Sequence, residues 1–143
     1  MAVKWVEYAT GKNIDTILTE RGLTRDPSAF SDTSDPDILA AFALDITSGT
    51  GGGKFTPNGQ FSREQAATMI MNTCRAIGAD VGSSPASDFA DLNTAATWAQ
   101  TGINFVRANG IMSGDGTNFN PKQLYTREQS IITFNNIHHA DWL

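Results

Sequence analysis

One pattern in this chain is written twice. Phe55 and Phe119, Pro57 and Pro121, and Arg63 and Arg127 each stand 64 positions apart. The first copy runs Phe30, Asp32, Ile46-Thr-Ser-Gly49, Phe55, Pro57 and Phe61-Ser-Arg-Glu-Gln65. The second runs Phe89, Asp91, Ile111-Met-Ser-Gly114, Phe119, Pro121 and Tyr125-Thr-Arg-Glu-Gln129. Phe30 and Phe89 are 59 positions apart, so the first copy is shorter, mostly before Ile46. A fixed period means one supersecondary unit used twice, which constrains the fold more than any local propensity.

Length and composition agree with a small repeat protein. At 143 residues the chain suits one domain or two small repeats around a shared core. With 40% hydrophobic and 17% charged residues it is globular in composition, which argues against disorder. The formal net charge is −5 and the ten cations are scattered, so nucleic acid is not an expected partner. No apolar run approaches the roughly 20 residues of a membrane helix, so no membrane insertion is expected. The opening Met-Ala-Val-Lys-Trp does not read as a signal peptide; for an exported protein the signal was removed or lies outside this chain. Cys74 stands alone, which excludes an intramolecular disulfide or a cysteine zinc site.

Each copy reads as helix, loop, helix, which makes the fold class all-α. In the first copy Asp35 caps a helix with Pro36 at its first position, and Ile38, Leu39, Phe42 and Leu44 or Ile46 face inward. In the second, Thr94 is expected to open a helix carrying Trp98, Ala99, Gly102, Ile103, Phe105 and Val106, with Gly110 as its stop. Turn residues fill the loops 49–59 and 113–123. The second helices begin at Ser62 and Thr126. Ala66, Met69, Ile70, Thr73 and Ile77 mark one face of the first, ended by Gly78. In the other, Ile131, Phe134 and Ile137 repeat the positions of Ala67, Ile70 and Thr73. Ahead of the repeats, Val3–Thr10 ends at Gly11, and Asn13 caps Ile14, Ile17 and Leu18 before Gly22. The divisions expected are a helical flank or cap 1–29, repeat 30–79, linker 80–88, repeat 89–138 and tail 139–143.

Ser62-Arg-Glu-Gln65 and Thr126-Arg-Glu-Gln129 fit a capping box, in which the hydroxyl and the Gln amide satisfy each other's backbone N–H groups. Glu64 and Glu128 favour the positive end of the helix dipole. Arg63 and Arg127 do not, and a cation there costs about 0.3–1 kcal/mol. Two readings stay open. The arginines pair with a neighbouring Glu, Asp32 or Asp91, or else guanidinium and free helix N–H groups converge on an external anion.

These residues resemble the S-layer homology (SLH) family. The second copy carries the family pattern in Phe89, Asp91, Trp98, Gly110-Ile-Met-Ser-Gly114, Phe119, Pro121 and Thr126-Arg-Glu-Gln129. The first keeps Phe30, Asp32, Gly49, Phe55, Pro57 and Ser62-Arg-Glu-Gln65, but has no Trp on its first helix, Asp45 in place of Gly110, and Ser62 for Thr. The resemblance covers about Phe30 to Ile137. It implies a pseudo-symmetric helical bundle of tandem helix-loop-helix repeats and non-covalent anchoring of an exported bacterial protein to the cell wall. The implied partner is an acidic secondary cell-wall polysaccharide, often bearing a pyruvyl ketal. The implied location is extracellular, at the cell surface or wall.

Carried over residue by residue, the ligand-binding candidates are Arg63, Arg127, Ser62, Thr126, Glu64, Glu128, Asp32, Asp91, Trp98, Gly49 and Gly114. The family's usual unit has three repeats and only two are evident here. Thr24-Arg-Asp26 only faintly echoes the tetrad, since no room remains for a following helix. Trp5 and the two short helices take the third place as a cap, or the chain is a fragment. The alternative function is a protein-interaction or assembly module that keeps the fold without glycan binding, and homo-oligomerisation stays open.

Nothing suggests an enzyme, a cofactor or a metal. Asp115-Gly-Thr-Asn118 and the Asp32, Asp35, Asp37 cluster lack the twelve-residue calcium spacing with its terminal Glu. His138 and His139, with Asp141, could touch a metal, but adjacent side chains on a helix point apart and usually stay in solvent, so no metal is expected there. Cys74 carries no sign of a lowered pKa and reads as inert. The Gly51-Gly-Gly53 run lacks the Lys-Ser/Thr ending of a P-loop.

Overall fold

A computed structural model describes residues 1–138; His139 and Asp141 lie outside the described residues. The described residues form α-helices at Ala2–Thr10 (α1), Ile14–Glu20 (α2), Pro36–Ala43 (α3), Arg63–Ala76 (α4), Thr97–Ala108 (α5) and Arg127–His138 (α6). A short 3₁₀ turn at Leu92–Thr94 precedes α5, and no extended strand is present among the described residues. The all-α expectation holds. No helix is long and apolar enough to cross a membrane.

The helices start and stop for local reasons. Asn13 Oδ1 accepts from the Asp15 N–H at the head of α2, and Asp35 accepts from the Asp37 and Ile38 N–H groups at the head of α3, with Pro36 at the first position. Gly11 ends α1 in the left-handed region at φ 67°. Asp45 adopts the same region at φ 58°, as Gly110 does at 66°, so the first copy closes its helix as the second does despite lacking the glycine.

The start of α5 differs from the expectation. Thr94 does not open the helix, because its hydroxyl donates back to the Asp91 carbonyl and closes the 3₁₀ turn. The α-helix begins at Thr97.

The chain divides into two compact units: Met1–Gly59 with Ala76–Gly78, and Gln60–Arg75 with Ala79–Leu143. In the first, α1, α2 and α3 pack together around Val6, Ile17, Leu18, Leu39, Ala40 and Ile46. In the second, Ile70, Ile103, Phe105, Val106, Ile111, Phe119 and Ile137 form the core. Gly102 lets α5 lie directly on α4: a Cβ there would stand 3.0 Å from the Thr68 Cα. Along α4 the expected inward face is buried at Ala66, Ile70 and Thr73. On α6, Ile137 is buried but Ile131 is 60% exposed, contrary to the periodicity, as is Ile132 at 61%.

Both copies build their loop in the same way. Asp32 accepts from the Phe55 and Thr56 N–H groups at 2.9 and 2.8 Å. Asp91 accepts from the Phe119 and Asn120 N–H groups, both at 2.8 Å. The aspartates hold Thr56 and Asn120 in the left-handed region, each at φ 60°. The paired phenylalanines pack beside them with tilted rings, Phe30 with Phe55 and Phe89 with Phe119. Gly49 and Gly114 also have positive φ, and a Cβ at either would overlap a carbonyl oxygen, Lys54 or Asn118.

Candidate functional site

The two tetrads satisfy their helix starts by the expected capping boxes. Gln65 N donates to Ser62 Oγ at 3.4 Å, and the Ser62 N–H donates to Gln65 Oε1 at 2.8 Å. The Thr126 and Gln129 pair repeats both bonds at 3.1 and 3.3 Å. Ser62 and Thr126 are thereby engaged by their own helices.

The arginines beside them differ. Arg63 is only 8% exposed. Its Nε donates to the Phe119 carbonyl at 2.8 Å, and the guanidinium carbon lies 4.8 Å from the Phe119 ring centroid. Among the described residues no carboxylate forms an ion pair with it. Burial pushes its pKa down, opposed by Tyr125, Asp115 and Asp91; a guanidinium keeps its charge in proteins. Arg63 is therefore a fixed, desolvated cation, held through one nitrogen and one ring face. Arg127 is exposed and likewise has no ion pair among the described residues.

The expectation of free N–H groups beside Arg63 does not hold. The Arg63 N–H donates to the Gln123 carbonyl at 2.9 Å and the Glu64 N–H to the Pro121 carbonyl at 3.0 Å. The Tyr125 N–H donates to the Phe61 carbonyl at 2.7 Å, and Ser62 pairs with Leu124. The loop after α5 has taken the anion-binding end of α4, which leaves the side chain alone to meet a ligand.

Glu64 is 4% exposed and spoken for on both oxygens. Oε1 accepts from Lys122 Nζ at 2.6 Å, and Oε2 accepts from the N–H of Ala96, the residue that opens α5. Sequence reasoning assigned Glu64 to its own helix dipole and missed this tie to a residue 32 positions away, for which no local signal exists. Glu128 is exposed.

Trp98 stands in the first turn of α5 with 57% of its surface exposed, so it does not serve the core. Glu64 follows Arg63 and bonds Ala96, two residues before Trp98, so the starts of α4 and α5 are neighbours within this unit. Asp32 and Asp91 use both oxygens on their loops, and Gly49 and Gly114 supply backbone room. Arg63 and Trp98, together with the exposed Arg127 and Glu128, are thus the members of the candidate set left with functional groups to offer, while the others build the scaffold. Among the described residues no group of His, Cys, Asp and Glu is arranged to hold a metal.

Cys74 is fully buried, and burial alone pushes its thiol up to about 12.

Known proteins share this pattern. The surface-layer 125 kDa protein of Lysinibacillus sphaericus is 30% identical over 101 residues, covering 68% of this chain. The S-layer protein sap of Bacillus anthracis is 30% identical over 95 residues, 66% of the chain. An endoglucanase of Bacillus sp. (strain KSM-635) is 30% identical over 125 residues, 80% of the chain, so related segments occur in enzymes too. The matches span 8%, 11% and 13% of these relatives. The family model described as the S-layer homology domain matches residues 29–67 and 88–129. More than half of the sequence is covered in two repeats, and the chain belongs to the S-layer homology domain family.

Proposed function

We propose that this chain is a non-catalytic anchor that holds an exported bacterial protein at the cell wall by binding an acidic secondary cell-wall polysaccharide. The family and its surface-layer relatives support a cell-surface anchoring role in general. The finer reading rests on one observation: Arg63 is buried, oriented by the Phe119 carbonyl and ring, and has no internal counter-ion among the described residues. A desolvated guanidinium is matched in charge and planar geometry by a carboxylate, such as that of a pyruvyl ketal. Trp98 offers an exposed indole on which a sugar ring can lie. In this reading Ser62, Thr126, Glu64, Asp32, Asp91, Gly49 and Gly114 shape the site rather than touch the glycan. Arg127 and Glu128 form the corresponding edge of the second repeat.

Retention on purified cell wall tests the proposal. Arg63→Ala should lose most of its retention while its far-ultraviolet circular dichroism is unchanged. Arg63→Lys should bind weakly, since an ammonium keeps the charge without the fork. Stripping the acidic substituents from the wall should abolish binding by the wild type. Equal retention of wild type and Arg63→Ala would overturn the assignment.

A further inference from the structure

Among the described residues, three side-chain polar atoms are buried without a hydrogen-bond partner: Trp5 Nε1, Ser87 Oγ and the Tyr125 hydroxyl. Such a group costs stability, so each calls for an explanation. Tyr125 stands apart because of its neighbour. Ser62 and Leu124 form an antiparallel bridge, flanked by the Arg63 N–H bond to the Gln123 carbonyl and the Tyr125 N–H bond to the Phe61 carbonyl. Side chains alternate between the faces of such a pair, so Phe61, Arg63, Gln123 and Tyr125 share the face opposite Ser62 and Leu124. Arg63 and Tyr125 are diagonal neighbours there, a separation that a long side chain and an aromatic one can span. All of these residues belong to the second compact unit. The first copy has Phe61 where the second has Tyr125, so packing alone does not require the hydroxyl.

The electrostatics agree with that placement. Burial raises the Tyr125 phenol, and Thr133 and Arg63 pull it back. Thr133 has no proton to give it, because its hydroxyl donates to the Gln129 carbonyl at 2.8 Å. Arg63 is bonded through Nε alone, and its terminal nitrogens are not among the sealed atoms, so they stay open to a ligand. Asp91 and Asp115 also act on the guanidinium, while their oxygens accept from loop N–H groups. A carboxylate arriving at Arg63 thus meets two negative charges nearby, and an uncharged donor beside the cation helps to hold it. We infer that Tyr125 is a second recognition residue of the Arg63 site: one ligand carboxylate bridges the terminal nitrogens of the guanidinium and the phenol hydroxyl. The inference rests on the proposed reading of Arg63. The Tyr125 ring is half-buried and its hydroxyl has no bond to break, so it is free to turn toward an oxygen seated on Arg63. A hydrogen bond to a charged acceptor is about twice as strong as a neutral one.

Affinity of the whole chain for purified cell wall, measured beside thermal melting, decides it. Tyr125→Phe should bind about tenfold more weakly, the loss of one hydrogen bond to a charged group. Its melting temperature should equal or exceed that of the wild type, because an unpaired buried hydroxyl is removed. In Arg63→Lys/Tyr125→Phe the loss should fall short of the product of the two single losses, since both groups hold one carboxylate. Binding by Tyr125→Phe equal to wild type would leave the hydroxyl to a buried water and overturn the inference; if Arg63→Ala loses binding in the same assay, the Arg63 reading survives. Undiminished binding by Arg63→Ala sinks both. A lowered melting temperature would show that Thr133 already engages the hydroxyl, and a double loss equal to the product or larger would place Tyr125 outside the Arg63 site; either result also refutes the assignment.

Discussion

Arg63 and Glu64 are consecutive residues with unlike duties, and substitution should separate them. Glu64 ties the opening of α5 to that of α4, and Lys122 is exposed enough to return to water when its partner is lost. Glu64→Ala should therefore destabilise by about 1–3 kcal/mol, the cost of an unsatisfied Ala96 N–H and a lost charged acceptor, read as a lowered denaturant midpoint. Arg63→Ala should show its main effect in wall retention. Cys74 has no such role: its thiol, raised to about 12 by burial, should resist alkylation in the native protein at pH 8 and react only as denaturant opens the chain. Rapid native labelling would contradict the burial described. The tetrads were legible as capping boxes because both partners lie within four residues. The contrast between Arg63 and Arg127 was not, since it depends on where residues 119–123 land.

At the scale of the elements, small residues decide how closely helices approach. Gly102 brings α5 onto the backbone of Ala67 and Thr68, and a Cβ would meet main-chain atoms at 3.0–3.1 Å that cannot swing aside. Alanine is the better helix former by about 1 kcal/mol, yet overpacking of this kind costs about 1–3 kcal/mol. Gly102→Ala should thus lower the melting temperature, and an unchanged or raised value would show that the helices yield. The loops hold a pH response. The Asp32 carboxyl is held below its ordinary value chiefly by the Phe55 N–H, and Asp115 by the N–H groups of Asn118 and Thr117. Carboxyls lowered in the folded state stabilise above the ordinary value of about 3.9 and lose that contribution as pH falls through the folded values. Amide shifts of Phe55, Asn118 and Thr117 should titrate with midpoints below that value; midpoints at or above it would contradict the bonds. Helix stops and the caps of α2 and α3 were readable because they are local. The start of α5 was misread because the Thr94 hydroxyl turns back to Asp91.

For the whole molecule, the net charge of −5 opposes approach to an acidic polymer. On the proposed reading, affinity comes from a local, partly desolvated cation rather than a basic surface. Salt screens the overall repulsion as well as the local attraction, so wall retention should change little between about 0.05 and 0.5 M salt, on either side of the ionic strength at which screening reaches about 10 Å. A steep loss would point to diffuse electrostatics instead of the Arg63 site. The caps and helical apolar spacing of each copy, used twice, made the all-α architecture legible. It could not reveal that Ile131 stays exposed, because periodicity identifies an apolar position without identifying what covers it.

The backbone bonds joining residues 61–64 to residues 121–125 have a mechanical consequence for the proposed anchoring role. They tie together two points far apart in sequence, so tension entering on either side crosses this short bridge. The stretch between them, including all of α5, stays slack until the bridge tears, and Arg63 keeps its hold on the Phe119 carbonyl until then.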